Sequence, residues 1–451
     1  MKEMMNKKFS PKNSRKTFAL LNYLEKKFKH KLLLHFHINY CKGYEYPIKG
    51  RFLATNKLSN IFKKNFSLKK EECVLRFFCH VKEVFCGKNF NTFSKSLSQK
   101  KKSPFFFVTP YQHLHDQENS YILKSSFEIK LIIKKNKLSL FFKNYSKSQN
   151  SFKKIKQDVK KILKHKHLQS DLKSHQKKRK AIHLSKKTAQ IIDDAKIYLK
   201  KGECYLINIT TTQFVEKKQS FLTPHNFLSC WFSLQPRFGI YYQDFNKGLA
   251  CFSPERFICS KNNFILTEPI KGTLKSKKLS PTKNDAQKLW SNKKEIYEHT
   301  LIVDLMRHEL YKICVPKSVS VFRPFYARKS GSLIQMQSFI FGKLKSQETL
   351  ATCLNQLLPA GSITGTPKKR VCELISILEE NKRGYYTGVC GLVETNDDFD
   401  STILIRSLYL GKRGIYFGVG AGITTLSKTL HEISEFKIKL NSFEALFQEI
   451  S

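Results

Sequence analysis

The chain has no Cys-x-x-Cys pair, although it holds 12 cysteines in 451 residues. A thiolate zinc site therefore lacks a spaced ligand set; Cys73, Cys79, His80 and Cys86 come nearest and miss the pattern. Scattered cysteines of this kind read as reduced thiols. No run of about 18 apolar residues occurs, so no membrane-spanning helix is expected. The basic stretch Met1–Tyr40 has no apolar core followed by a small-residue cleavage site. A secretory leader is not expected, and a cytoplasmic location is. Also missing are a repeat period, a Gly-x-x-x-x-Gly-Lys-[Ser/Thr] phosphate loop and a Gly-x-Cys-x-Gly nucleophile turn of the glutamine amidotransferase kind.

Acidic residues are scarce: 35 Asp and Glu stand against 82 Lys and Arg, a formal net charge of +47. Such a balance points toward nucleic acid or an anionic surface. The basic residues are mostly Lys and run along the whole chain with Phe, Asn and Ile, whereas a base-reading protein favours the Arg fork. Compositional drift accounts for that spread, and nucleic acid is not an expected partner. The densest run, Lys153–Lys187, reads as a solvated helix and linker, with polyanion binding as its alternative.

A hydrophobic content of 41% over this length supports a sizeable core and divides into three regions. Residues 1–150 are short apolar segments split by charged turns, with a hairpin over Phe127–Lys143. Residues 151–187 form a basic helix and linker, with Phe152, Ile155, Val159, Ile162 and Leu163 on one face. Residues 188–451 are a second compact region. Strands are predicted at Cys204–Ile209, CFSPERFICS, NFILTEPIK, GVCGLVE, TILIRSLYL and GIYFGVGAGI, and helices at Asp285–Leu310, Pro367–Glu380 and His431–Phe447. Strands grouped with helices outside them predict an α+β fold.

Two of those helices carry paired glutamates. Glu295 and Glu298 fall three apart in KKEIYEHTLIVDL, and Glu432 and Glu435 do so in TLHEISEFKIKL, with Lys439 one turn further on. Singly, such pairs are ordinary on solvated helices. Brought together, four carboxylates repel unless a hard cation lies between them, and Mg²⁺ suits such a set. In LPAGSITGTPKKR, Gly361 and Gly365 precede Thr366 as N-cap and Pro367 as first helical residue, which offers backbone N–H groups to an anion. Gly418, Gly420 and Gly422 are spaced like a dinucleotide loop, but Ile423-Thr424-Thr425 opens no βαβ helix. Arg406 is a lone cation in the apolar pattern STILIRSLYL and needs an anion to meet.

The order of GECYLIN, SPERF, PIKGT, EHTLIVDLMR, LPAGSITGTPKKR, RGYYTGVCG, DSTILIRSL, GAGI and EISEFKIK, from about Thr188 to Glu449, resembles the chorismate-utilising enzymes. That family includes anthranilate synthase component I, aminodeoxychorismate synthase component I, and the isochorismate and salicylate synthases. The resemblance implies two antiparallel β-sheets in a sandwich flanked by helices, with the divergent N-terminal part adding strands. It implies Glu298 and Glu435 as main Mg²⁺ ligands, Glu295 and Glu432 as direct or water-bridged ligands, and the ring carboxylate of chorismate on the metal. Arg406, Lys439, Tyr386 and the N–H groups near Ala421 and Gly422 would hold the pyruvyl carboxylate, and Ser362 would meet substrate. In PI-x-GT, anthranilate synthases carry Ala and aminodeoxychorismate synthases typically Lys. Lys271 is thereby implied as a covalent nucleophile, with ammonia from a separate glutaminase subunit.

Departures from the family pattern are Leu206 in place of a lysine base or a glutamine, Gln335 in place of a histidine, His308-Glu309 in place of Asn-Asp, and Leu426 in place of Asp. The reading is therefore an aminodeoxychorismate synthase component I. Its rivals are anthranilate synthase component I and a basic polyanion-binding protein on a decayed enzyme scaffold.

Overall fold

The computed structural model describes residues 11–28, 32–39, 43–44, 72–79, 82–87, 95–97, 104–111, 120–124, 127–134, 137–145, 153–154, 156–160, 187–216, 223–234, 236–244, 247–276, 281–330, 333–394, 398–411 and 413–450. Several of its strands are buried along nearly their whole length, as strands covered on both faces are. Among the described residues the strands assemble into two sheets, every pairing antiparallel.

The first sheet has the spatial order β17 (Gly365–Thr366), β9 (Leu206–Glu216), β21 (Gly414–Ile423), β20 (Ser407–Leu410), β11 (Lys247–Cys251), β10 (Phe238–Asp244), β1 (Leu32–Asn39), β3 (Glu72–Cys79), β7 (Phe127–Lys134) and β8 (Lys137–Asn144). The second runs β2 (Gly43–Tyr44), β15 (Ser320–Ser330), β16 (Leu333–Lys343), β13 (Phe264–Glu268), β12 (Arg256–Lys261), β19 (Phe399–Ile403), β18 (Val389–Val393), β5 (Phe105–Thr109), β6 (Ser120–Lys124) and β4 (Lys82–Gly87). A further strand, β14 (Ile270–Lys275), pairs with β16. Strands from before residue 150 thus extend both sheets, and β7 and β8 form the predicted hairpin.

The sheets face each other across Ile240, Leu249 and Cys251 on one side and Cys390 and Leu404 on the other, continued by Leu33 and Phe78 against Phe106 and Leu392. Helices cover the outer faces. On the first sheet lie α1 (Pro11–Phe28), α2 (Lys187–Lys200), α3 (Pro224–Leu234), α7 (Lys368–Leu378) and α8 (Thr429–Ile450), contributing Leu24, Ile192, Trp231, Leu374 and Phe436 to one core. Near the second lie α4 (Lys283–Ser291), α5 (Lys293–Ile313) and α6 (Leu350–Leu357); Ile302, Leu310 and Leu354 pack there with Ile258 and Ile340. The α+β sandwich is the architecture that the sequence predicts.

Three local expectations are corrected. The helix predicted over Asp285–Leu310 is two helices, because Asn292 ends α4 and its side chain accepts the N–H groups of Lys294 and Glu295 as the N-cap of α5. Thr366 is not an N-cap: it pairs with Leu206 in the first sheet, and Pro367 takes the cap position without a side-chain cap. Arg406 does not lie inside a strand. It stands between β19 of one sheet and β20 of the other, with a left-handed φ of 51°. In the basic run, residues 156–160 are helical with Val159 buried, while 161–186 lie outside the described residues.

One buried ionic cluster fixes the second sheet. Glu268, 1% exposed, accepts from Arg237 on one side, from Arg256 on the other, and from Gln337. Arg256 also holds Asp400 through two bonds of 2.7 and 2.8 Å. Burial would raise the pKa of Glu268, but the two guanidinium groups overcome it and hold the carboxyl at about 2. Removing one member leaves a buried charge without a partner. Glu268→Gln is expected to lower unfolding stability by about 3–5 kcal/mol in urea titrations. Because the folded value lies below the ordinary 4.5, the wild-type advantage is fully present above that pH and is lost as pH falls toward 2.

Candidate functional site

Lys271 is the second residue of strand β14, two after Pro269, and the register with β16 shifts between Lys271 and Thr273. Such a bulge re-aims the side chain beside it. Gly272 has φ +77°, and a Cβ there would lie 3.1 Å from Glu295 Oε2, so this turn needs glycine on both counts. The Lys271 turn is thereby pressed against the first glutamate of α5. Among the described residues the Lys271 ammonium has no ion-pair partner within 4 Å.

Facing it is a carboxylate that sequence reasoning passed over. Glu255, of the SPERF motif, is 4% exposed just before β12. Burial pushes its pKa up to about 7, against the opposing influence of the Ser362 hydroxyl, the Lys271 charge and the Ile270 N–H. Among the described residues its Oε1 has no hydrogen-bond partner. The signal was available: an acidic residue set between Ser-Pro and a predicted strand, in the apolar stretch CFSPERFICS. His299 was also missed. It is fully buried, its Nε2 lies 2.7 Å from Ser338 Oγ, and burial and the Lys271 charge push its pKa down to about 3.

The paired glutamates converge from α5 and α8. Lys294 reaches both helices, with its Nζ 3.2 Å from Glu298 Oε1 and 2.6 Å from Glu432 Oε1. Burial and then the neighbouring Glu298 push Glu295 up to about 7, and burial raises Glu298 as well. Burial would do the same to Glu435, but Lys439, 2.5 Å away, tips its pKa downward. Glu432 is 1% exposed, and among the described residues neither of its carboxylate oxygens has a hydrogen-bond partner, the Lys294 contact being an ion pair. Buried carboxylates with unsatisfied oxygens, two of them already sharing one ammonium, have the donor chemistry of a cation site. Among the described residues no three ligating side chains stand at the spacing of a finished metal centre.

The anion-binding end adjoins them. A Cβ on Gly422 would lie 2.8 Å from Glu298 Oε2 and 3.2 Å from Leu206 Cδ1, so the glutamate packs directly against the backbone of β21. The N–H of Asn208 donates to Thr364 O and that of Thr210 to Glu379 Oε1, both away from β21. Strand alternation then makes Ile209 the ladder partner of Ala421 and turns Gly420 and Gly422 to the open side, where Lys439 already donates to Gly420 O at 2.5 Å. Of the two N–H groups considered in the sequence, Gly422 has the one free to meet a ligand. Tyr386, 5% exposed, lies across Gly418, where a Cβ would meet its ring at 2.2 Å. Tyr386 is also one wall of a cavity of about 430 Å³ lined by Tyr242, Lys247, Tyr385, Tyr409 and Tyr416; Lys271 and the glutamates lie outside it.

Arg406 makes no side-chain hydrogen bond or ion pair among the described residues, and burial pushes its pKa down with no acidic neighbour to oppose it. A guanidinium so placed is set for an incoming anion. The departures fall into two groups. Leu206 and Gln335 are buried near the site, Gln335 held by Arg328 at 3.2 Å. Glu309 is buried and paired with Lys312 and Lys368, whereas Leu426 is 52% exposed.

Glu255 and Glu295 have folded pKa values raised to about 7 from 4.5. Between those values the folded protein binds more protons than the unfolded chain. Metal-free protein is therefore expected to lose thermal stability as pH rises from 4.5 to 7 and to level off above. The Glu255→Gln, Glu295→Gln double variant should show a flatter profile in melting curves run with chelator.

A family profile described as chorismate binding enzyme matches residues 62–445. An uncharacterized PabA-like protein of Haemophilus influenzae is 34% identical over 247 residues, 54% of this chain and 71% of that protein. Aminodeoxychorismate synthase component 1 of Klebsiella aerogenes is 32% identical over 251 residues, 54% of each chain. Among solved structures, anthranilate synthase component I from Streptococcus pneumoniae superposes with a TM-score of 0.65 at 20% identity, covering 90% of this chain and all of that one.

Proposed function

The chain belongs to the chorismate binding enzyme family, and on that premise we propose that it is an aminodeoxychorismate synthase component I, converting chorismate and ammonia to 4-amino-4-deoxychorismate and water. The observation that carries this reading is Lys271: an unpaired ammonium at a glycine-supported bulge, set among Glu255, Glu295 and Glu298.

Lys271, as the free amine, bonds to ring C2. The two ring double bonds shift toward C4, and the C4 hydroxyl leaves as water with the proton of Glu255, whose pKa near 7 suits a general acid. Ammonia then bonds to C4, the double bonds shift back, and the C2–N bond breaks with its electron pair returning to Lys271. The new ammonium gives one proton to Glu255 and restores the acid. Arg406, Tyr386, the Gly422 N–H and Lys439 hold the pyruvyl carboxylate, and Ser362 orients Glu255 and the substrate.

The glutamates fit Mg²⁺ in donor type: Glu298 and Glu435 would be its main ligands, with Glu295 and Glu432 direct or through water. When bound, the ion supplies Lewis acidity and a seat for the ring carboxylate. The site offers no lysine base at Leu206 and no histidine at Gln335, which disfavours water addition at C2 and loss of pyruvate. In this reading a separate amidotransferase subunit supplies ammonia, the product serves p-aminobenzoate and folate synthesis, and the enzyme works in the cytoplasm.

Incubation with chorismate, Mg²⁺ and ammonium at high pH is expected to yield aminodeoxychorismate without anthranilate or pyruvate. Lys271→Ala should lower kcat on the order of 10³-fold, about 4 kcal/mol of barrier. Appearance of anthranilate and pyruvate would instead establish the anthranilate synthase reading. Arg406→Met should raise the KM for chorismate roughly 10- to 100-fold, the worth of a charge-assisted hydrogen bond.

A further inference from the structure

Lys294 is a cation inside a site built of carboxylates. Asn292 fixes the first turn of α5 by accepting the Lys294 and Glu295 N–H groups, which holds the base of the lysine stem in place. From there the ammonium spans two helices, touching Glu298 Oε1 on α5 at 3.2 Å and Glu432 Oε1 on α8 at 2.6 Å. Both glutamate side chains are nearly closed off, at 6% and 1% exposure, and the lysine side chain is at 22%. Without it, two buried carboxylates from different elements would face each other uncompensated, an arrangement that costs several kcal/mol per charge.

We propose, resting on the reading of these glutamates as cation ligands, that Lys294 is the internal counterion of the site: its ammonium holds α5 and α8 together in the metal-free protein and gives up its place when a divalent cation enters. The geometry requires the exchange. A magnesium ion takes carboxylate oxygens at about 2.0–2.1 Å. An ammonium ion-paired with those same oxygens would then stand a few ångströms from a double positive charge, with a repulsion of several kcal/mol even in a well-screened setting. The four-carbon lysine stem swings aside easily, which a guanidinium fork would not do so readily. Displacing the ammonium is work subtracted from metal affinity, and in return the ligand set stays closed while empty.

The full-length protein, Lys294→Met and Lys294→Arg are titrated with MgCl₂ by calorimetry, and each is melted in chelator. Lys294→Met is expected to bind Mg²⁺ about tenfold more tightly than wild type and to melt at a lower temperature in chelator. Lys294→Arg, which keeps the charge but gives way less readily, should melt close to wild type in chelator and bind Mg²⁺ no more tightly than wild type. Wild-type or weaker Mg²⁺ affinity in a folded Lys294→Met overturns the proposal and leaves the glutamate reading standing. Absence of any Mg²⁺ heat or melting shift in wild type overturns the glutamate reading, and the counterion with it. A crystal structure of wild type with Mg²⁺ needs no variant: the proposal expects the ammonium out of hydrogen-bond reach of Glu432, and an ammonium still bonded there beside the metal overturns it.

Discussion

The pairing of Arg256 with Glu268 is the interaction on which the reactive geometry rests. The two residues stand opposite each other in the β12–β13 ladder, and their side chains meet in the buried interior. Glu255 is the residue before Arg256, and Lys271 lies three after Glu268. A slip of one residue between these strands would separate the acid from the amine and turn every side chain to the other face. The ion pair makes such a slip prohibitive, since it would strand charges in a core. Asp400 on β19 and Gln337 on β16 extend the same constraint to the neighbouring strands. Thus a structural charge cluster and the residues proposed to react lie a few residues apart along the chain, and in the structural one every charge has an opposite charge to meet.

That contrast runs through the molecule. The chain carries an excess of 47 positive charges, yet it gathers Glu255, Glu298 and Glu432, all buried, with the half-buried Glu295 and Glu435 beside them. The overall field draws in an anionic substrate, while the local field repels it until cations intervene. Arg406, Lys271, Lys294 and Lys439 are those resident cations, each with a different degree of commitment. Lys439 and Lys294 are tied to glutamates, whereas Lys271 and Arg406 make no such ties. In the proposed reaction the uncommitted pair is what the substrate meets.

Much of this was legible in the sequence because it is local. Glu-x-x-Glu spacing on two helical stretches, glycines around the lysine turn, and the hairpin over residues 127–143 each follow from rules that act over a few residues. The sandwich followed from the order of the family motifs. What escaped depends on distant partners. Glu255 has its raised pKa from burial, which only the folded chain creates, and the groups that oppose the shift, Ser362 and Lys271, lie 107 and 16 residues away in the chain. Lys294 looked like one more surface lysine, because its second partner sits 138 residues later on another helix. The break at Asn292 has a good N-cap residue as its signal, overridden in the sequence by an unbroken helical pattern on either side. Arg406 fitted a strand pattern on both flanks, and nothing in that pattern says that the flanks belong to different sheets.

The placement of Arg406 has a mechanical meaning. Leu404 still exchanges hydrogen bonds with the second-sheet side, through Thr387 and Gly388, while the carbonyl of Arg406 already accepts from Phe252 beside the first sheet. The chain therefore crosses the sandwich within two residues, and the guanidinium is mounted on that crossing. An anion drawn to it pulls on both layers at once. The stiffness of the whole β-sandwich, rather than of one loop, sets how far the ring of a bound ligand can drift from Lys271.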